Sequence, residues 1–278
     1  MTVPAQNNQG REALPLVSVL FLTYKRVHLL QSAVHSFRQH TVYPNLELVI
    51  ADDGSAREIQ DQIRTIPVDT YALAPRNRGL GANFNQGLQS CHGKYVLVIQ
   101  DDWTCHGPEQ YLAEAVRVLE ANPNIGLINF AGEAHPPDYS SRLNGSTEPC
   151  YVTPQPLQGA IEYFLYSDQP HLQSRAALDF IGPYLESKDM EECEIDYNHR
   201  WKNQTQFLTA VFPGYYGRTF RDEGGEHSFR TTRFRYRVHA FLQPAKPLLL
   251  QRVPWLFQAG KSTVQAFLRI MERLRLVR

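Results

Sequence analysis

Seven residues, Val17-Ser-Val-Leu-Phe-Leu-Thr23, constrain this chain more than any other stretch. A run this apolar predicts a strand covered on both faces, as in a parallel sheet. Parallel strands need long crossovers, and the following sequence supplies them. Val27 to Gln39 carries Leu29, Leu30, Ala33, Val34 and Phe37 at helical spacing. Further strands are expected at Leu46–Ala51, Val68–Leu73, Tyr95–Ile99 and Ile125–Phe130. Helices are expected over Gly81–Ser90 and from Pro108 through about Glu120, where Tyr111, Leu112, Ala115, Val118 and Leu119 share one face. Alternation with short connections predicts an α/β fold, a doubly wound and mainly parallel sheet flanked by helices.

The chain has 278 residues, 42% of them hydrophobic, enough for one large α/β domain with a real core. Residues 1–14 read as a polar, flexible tail without the apolar segment of a secretory leader, so the chain is expected to stay in the cytosol. Residues 131–156 are rich in Pro, Gly, Ser and Asn and read as a loop or flap with little regular structure. Ser174–Phe180 and Glu191–Lys202 read as helices, Gln206–Phe212 as a strand and Arg221–Phe229 as a polar loop. The boundaries this implies are 15–130 for a first half, 131–230 for a second half and 231–278 for a C-terminal extension. Cys91, Cys105, Cys150 and Cys193 are scattered, without the paired spacing of a zinc site, and read as small free hydrophobes.

In open α/β sheets, ligands bind beyond the carboxyl ends of the strands. Two acid pairs, Asp52-Asp53 and Asp101-Asp102, fall just after strands. Adjacent carboxylates at such an end suit a hard divalent cation, Mn or Mg, that shares its shell with a diphosphate. On that reading Asp102 binds the metal and Asp101 holds ribose or a metal-bound water. The plainer alternative is an acidic helix cap. Asp52-Asp53-Gly54-Ser55 is likewise either a site for base or ribose or a simple turn with Gly at positive φ.

Four segments, in order, resemble glycosyltransferase family 2. Val17 to Arg26 is similar to its first strand and nucleotide-contacting turn, with Thr23, Tyr24 and Arg26 in that turn. Asp52-Asp53-Gly54-Ser55 resembles its signature turn, and Asn77-Arg78-Gly79 its Asn-x-Gly segment. Gln100-Asp101-Asp102 stands where the family has Asp-x-Asp, with Gln100 replacing the first Asp and Trp103 following. The resemblance covers about residues 16–230. It implies the GT-A fold and inverting transfer of a sugar from a nucleotide-sugar, UDP favoured, to a glycan or lipid-linked hydroxyl. It also implies that Glu194 acts as base, Asp196 beside it, because these match the family's acids when counted back from Arg200. His227 is the late histidine that would join Asp102 on the metal; Arg221 or Arg230 would contact the diphosphate. Trp103, ahead of Trp201, is a candidate to stack on a sugar face.

The charge is neutral only in sum. From Ser228 onward there are eleven Lys and Arg and one acid, Glu272, which leaves seventeen basic and twenty-seven acidic residues before it. The neutral whole excludes general nucleic-acid binding. Residues 231–278 read as a basic amphipathic helical extension, able to lie on an anionic membrane surface or to pack on protein. The competing functions are a nucleotidyltransferase, which would need a glycine-rich loop after the first strand, and a degenerate transferase kept as a carbohydrate-binding or scaffolding module. A dehydrogenase is excluded by the lack of Gly-x-Gly-x-x-Gly there.

Overall fold

A computed structural model describes residues 14–130, 140–141, 143–145, 150–152, 166–211 and 218–224. The chain begins as β1 (Val17–Thr23), α1 (Val27–His40), β2 (Leu46–Asp52), α2 (Arg57–Ile63), β3 (Thr70–Leu73), α3 (Leu80–Gln89) and β4 (Tyr95–Gln100). It continues through β5 (Trp103–Cys105), α4 (Tyr111–Ala121), β6 (Ile125–Asn129), β7 (Ser140–Ser141), β8 (Cys150–Val152) and β9 (His171–Ser174). The last of the described elements are α5 (Arg175–Ile181), α6 (Met190–Asn203), β10 (Leu208–Val211) and β11 (Phe220–Asp222).

The main sheet has the order β3-β2-β1-β4-β9-β6-β10-β8-β7. β3, β2, β1 and β4 run parallel, as does the β6–β10 pair, while β9 enters antiparallel between β4 and β6. Period-two alternation sorts the central strands between two layers. Val17, Val19 and Phe21 of β1 point into one core with α1 and α4; Leu20 and Leu22 point into the other with Phe84 of α3, Leu178 of α5 and Trp201 of α6. Each of these large apolar side chains contributes about 1.5–3 kcal/mol on burial. The doubly wound expectation therefore holds. The register sets Thr23 opposite Asp52 and Leu22 opposite Gln100, so the acid pairs after β2 and β4 leave the sheet at one rim.

Several boundaries differ from the sequence reading. α4 begins at Tyr111 rather than Pro108, because Gly107 takes φ +77 and the Glu109 carbonyl accepts Val42 N–H at 3.0 Å instead of starting a helix. β9 was not expected, since its His171 and Gln173 are polar. Both are fully buried all the same: His171 Nδ1–H donates to the Gln169 carbonyl (2.7 Å) and Gln173 Nε2 to Tyr197 Oη (3.0 Å). Within 131–156, read as a loop or flap with little regular structure, the short β7 and β8 pair with each other and β8 joins β10 at the sheet edge. Cys91, Cys105 and Cys193 are buried and free, as expected. Among the described residues no helix is long and apolar enough to cross a membrane. The extension 231–278 lies outside the described residues.

Candidate active site at the carboxyl rim of the sheet

The turn after β1 is strained. Lys25 sits at φ +65, a region rarely adopted by residues other than Gly, and its N–H donates to Ser55 Oγ at 2.8 Å. This locks the 23–26 turn to the Asp52–Ser55 turn. Asp52 is fully buried and spent internally, accepting from Ser55 N (2.8 Å), Ser55 Oγ and Gln60 Nε2 (2.9 Å). Gly54 has φ +72, and a Cβ there would lie 2.1 Å from the Arg76 carbonyl carbon, so only Gly lets the 76–79 loop close over the turn.

That loop engages Asp53. Asn77 Nδ2, Arg78 N and Gly79 N donate to its carboxylate at 2.7, 2.8 and 2.9 Å. Burial nevertheless raises the Asp53 pKa, and the backbone bonds offset it only in part. The Arg78 guanidinium is partly exposed and faces Glu186 at 3.8 Å, too exposed to hold much. Tyr24 carries the Lys25 ammonium over its ring, 4.7 Å from the centroid.

Arg26 joins the two halves of the rim. Its guanidinium grips Asp101 through Nε (3.2 Å) and Nη2 and reaches Asp102 Oδ2 through Nη1 at 3.0 Å. Thr23 Oγ1 also donates to Asp101 Oδ2 at 2.7 Å. Burial pushes the Asp101 pKa up to about 6; Arg26 and Thr23 pull it down, and Asp102 pushes it up again. Asp102 is different: its Oδ1 is buried and accepts no hydrogen bond among the described residues. A buried carboxylate oxygen without a donor is the feature a cation would satisfy. Its backbone is fixed from the far end of the domain, since Glu223 N donates to the Asp102 carbonyl at 2.7 Å and β11 pairs with β5, setting Asp222 opposite Trp103. Trp103 is partly buried against the core, and Arg221 is exposed.

From the other side comes α6. Asp189 is its N-cap, accepting from Glu191 N, and Glu192 in the first turn accepts from Ser187 Oγ at 2.6 Å. Glu194 instead faces inward, where its Oε1 accepts from Ser167 Oγ (2.9 Å) and Asp168 N (3.3 Å). Asp196 is two residues on, about 200° around the helix. Arg200 holds it with two bonds of 2.8 and 3.0 Å while also donating to the Ile181 carbonyl at 2.8 Å. Trp201 is fully buried in the core, so its ring cannot stack on a ligand.

Asp168 was missed by sequence reasoning. Its Oδ2 accepts from Gln100 Nε2 at 2.9 Å, and the same amide donates to its carbonyl at 3.2 Å. Enclosure by protein raises its pKa to about 7, and the neighbouring Glu194 charge adds to this, with a smaller push from Asp102. The only sequence signal was an Asp in a Ser-Asp-Gln-Pro turn, which no motif marks. The structure thus brings Thr23, Arg26, Asp52, Asp53, Asn77, Arg78, Asp101 and Asp102 together, and links Glu194 to them through Asp168 and Gln100. His227 and Arg230 lie outside the described residues. Among the described residues no cluster of three or more His, Cys, Asp or Glu forms a ready cage for a metal. The donor set fits a cation bound by Asp102 and completed by the oxygens of a ligand.

Comparison with known proteins bears on the family and the fold. An uncharacterized glycosyltransferase of Haemophilus influenzae is 31% identical over 144 residues, 51% of this chain and 45% of that protein. A GalNAc(5)-diNAcBac-PP-undecaprenol beta-1,3-glucosyltransferase of Campylobacter jejuni is 27% identical over 43% of this chain and 38% of its own length. The chain thus spans less than half the length of these relatives. Among solved structures, the mannosyltransferase PcManGT of Pyrobaculum calidifontis, in complex with GDP-Man and Mn2+, matches with a TM-score of 0.58 at 16% identity, over 96% of this chain and 82% of that one. S. aureus TarS, residues 1–349, in complex with UDP-GlcNAc, matches with a TM-score of 0.51 at 16% identity, over 76% of this chain and 61% of that one. At such identities the likeness is one of fold. The sequence profile described as glycosyl transferase family 2 matches residues 18–179, more than half of the chain: the chain belongs to glycosyltransferase family 2.

Proposed function

We propose that this chain transfers a sugar from a nucleotide-diphosphate sugar to a hydroxyl acceptor by a single inverting displacement. The observation that carries this is the shared rim: Asp102, with one buried oxygen unbonded, and Glu194, on a separate helix, are tied to one sheet end through Gln100 and Asp168. On this reading Asp102 holds Mn or Mg together with diphosphate oxygens, and a metal so bound neutralises the leaving phosphate. The Glu223–Asp102 bond, four residues ahead of His227, supports counting His227 among the ligands.

Each remaining role follows from contacts. Arg26 keeps Asp101 and Asp102 together against their mutual repulsion. Asp53 shapes the 77–79 loop beside the nucleotide, and Thr23, Tyr24, Asn77, Arg78, Asp101 and Trp103 form the donor side, while the fully buried Asp52 braces the turn behind them instead of meeting the donor. Glu194 accepts the acceptor proton as the hydroxyl attacks. Asp196 supports it indirectly, by pairing with Arg200, which ties α6 to the carboxyl end of α5. UDP-sugars are the favoured donors; the UDP-GlcNAc bound by TarS and the GDP-Man bound by PcManGT name the first two to try. The lipid-linked substrate named for the Campylobacter relative makes a lipid-linked or glycan acceptor the first choice, met at an anionic cytoplasmic membrane surface through 231–278. Vesicle flotation of the full chain against one ending at Gln243 tests the membrane arm.

The central test is a thermal-shift screen of UDP-GlcNAc, UDP-glucose and GDP-mannose with and without Mn, followed by detection of released nucleoside diphosphate. Metal-dependent stabilisation by one donor, with slow hydrolysis, is expected. No shift and no release with any donor would sink the reading.

A further inference from the structure

Gln100 stands where the family's acidic pattern has an Asp, and the structure gives that residue a job. Its side chain does not join Asp101 and Asp102. It donates from Nε2 to both the side chain and the carbonyl of Asp168. The next links in the chain are Asp168 N and Ser167 Oγ, and both donate to one oxygen of Glu194. Gln100 therefore bonds to the turn that grips the inward acid of α6, and through it couples β4 to that helix.

We propose that Gln100 is a positioning residue for Glu194, and that an amide is required at this position because it must donate to Asp168, whose own N–H already holds Glu194. A carboxylate at residue 100 could accept but not donate. It would face Asp168 as a third acid beside Glu194 and would release the turn. This rests on Glu194 being the base. It predicts a defect on the acceptor side of the site, with the donor side intact, although Gln100 adjoins Asp101 in sequence.

The test uses the full chain carrying Gln100→Glu, which keeps the side chain's shape, and Gln100→Met, which keeps its length and removes the polar atoms. Hydrogen–deuterium exchange of the peptides spanning 166–170 and 190–198 is measured first, without substrate. Faster exchange in both segments in both variants, with exchange in 48–54 unchanged, is expected. Turnover is then measured with the nucleotide-sugar that the parent chain uses. A fall in kcat on the order of ten- to a hundredfold is expected, with donor KM and Mn-dependent UDP affinity within about twofold. Unchanged exchange, or a loss confined to UDP or Mn affinity, overturns the proposal. If the parent chain turns over none of the donors, the transferase reading fails by itself. The exchange result still decides whether Gln100 holds the turn.

Discussion

At the amino ends of β1, β2 and β4, burial works against the ionised form of Glu47, but bonds from Ser18, His92 and Gly93 outweigh it and hold its pKa below the usual carboxylate range. Glu120, nearby, is lowered in the same way, with burial opposed by bonds from Lys94 and Tyr95. At the carboxyl ends the balance reverses. Burial prevails at Asp53, Asp101 and Asp168, and all three are raised. The same sheet thus favours the ionised forms of Glu47 and Glu120 at one rim and disfavours those of Asp53, Asp101 and Asp168 at the other. A fold that keeps acids where they cost stability marks a site, because added cations or substrate can relieve what the chain alone does not.

The largest break of this contrast is Asp102→Asn. Transfer is expected to fall by a hundredfold or more, on the order seen when one charge-stabilising group is removed, with loss of the heat of Mn binding in calorimetry. Thermal stability in chelator should hold steady or rise, since a charge that opposes ionisation of Asp101 and Asp168 is gone. A collapse of stability alongside activity would make Asp102 a structural residue instead.

Glu194→Gln comes next. Its kcat is expected to drop by roughly a hundredfold, within the range for general bases, while UDP affinity with Mn stays within about twofold. Equal losses in kcat and nucleotide affinity would move Glu194 to the donor side. The opposite rim should answer in the opposite way. Glu47→Gln removes a charge-assisted acceptor that is 17% exposed, and urea denaturation should show a loss of about 1–2 kcal/mol. Its turnover should match the parent chain; a kinetic defect there would erase the distinction between the rims.

How much of this was legible beforehand follows the same division. The central strands could be read because their residues are apolar on both faces, and Asp101-Asp102 stood out because each followed a strand. Asp52 and Asp53 could be located but not interpreted: only in the folded chain is the first consumed by its own turn and the second by the 77–79 loop. β9 stayed hidden because His171 and Gln173 are buried by partners distant in sequence, which periodicity does not detect. Asp168 stayed hidden for a related reason. Its chemistry comes from Gln100 and Glu194, 68 and 26 residues away. Gln100 itself read as a gap in an acidic motif until its partner was visible.

The smallest expected effect is a change of slope with pH, and its sign separates the rims. A carboxyl group whose pKa is raised on folding stabilises the protein fully below its unfolded value and loses that contribution as pH climbs through the folded one. For Asp168 this window runs from 3.8 to about 7. Buried His171, lowered by burial to about 4, contributes with the opposite sign over part of the same range, so the parent chain alone does not isolate either group. The comparison of Asp168→Asn with the parent reads the Asp168–Glu194 pair, because His171 is common to both. In chelator, the melting temperature of the parent should fall more steeply between pH 5 and pH 7.5 than that of the variant. For Glu47, lowered on folding, stability is present above its unfolded pKa and is lost as pH falls through the folded one, so Glu47→Gln should flatten the acid limb alone. Parallel curves for Asp168→Asn and the parent would mean that Asp168 ionises freely in the folded chain, and the contrast between the rims would then rest on Asp53 and Asp101.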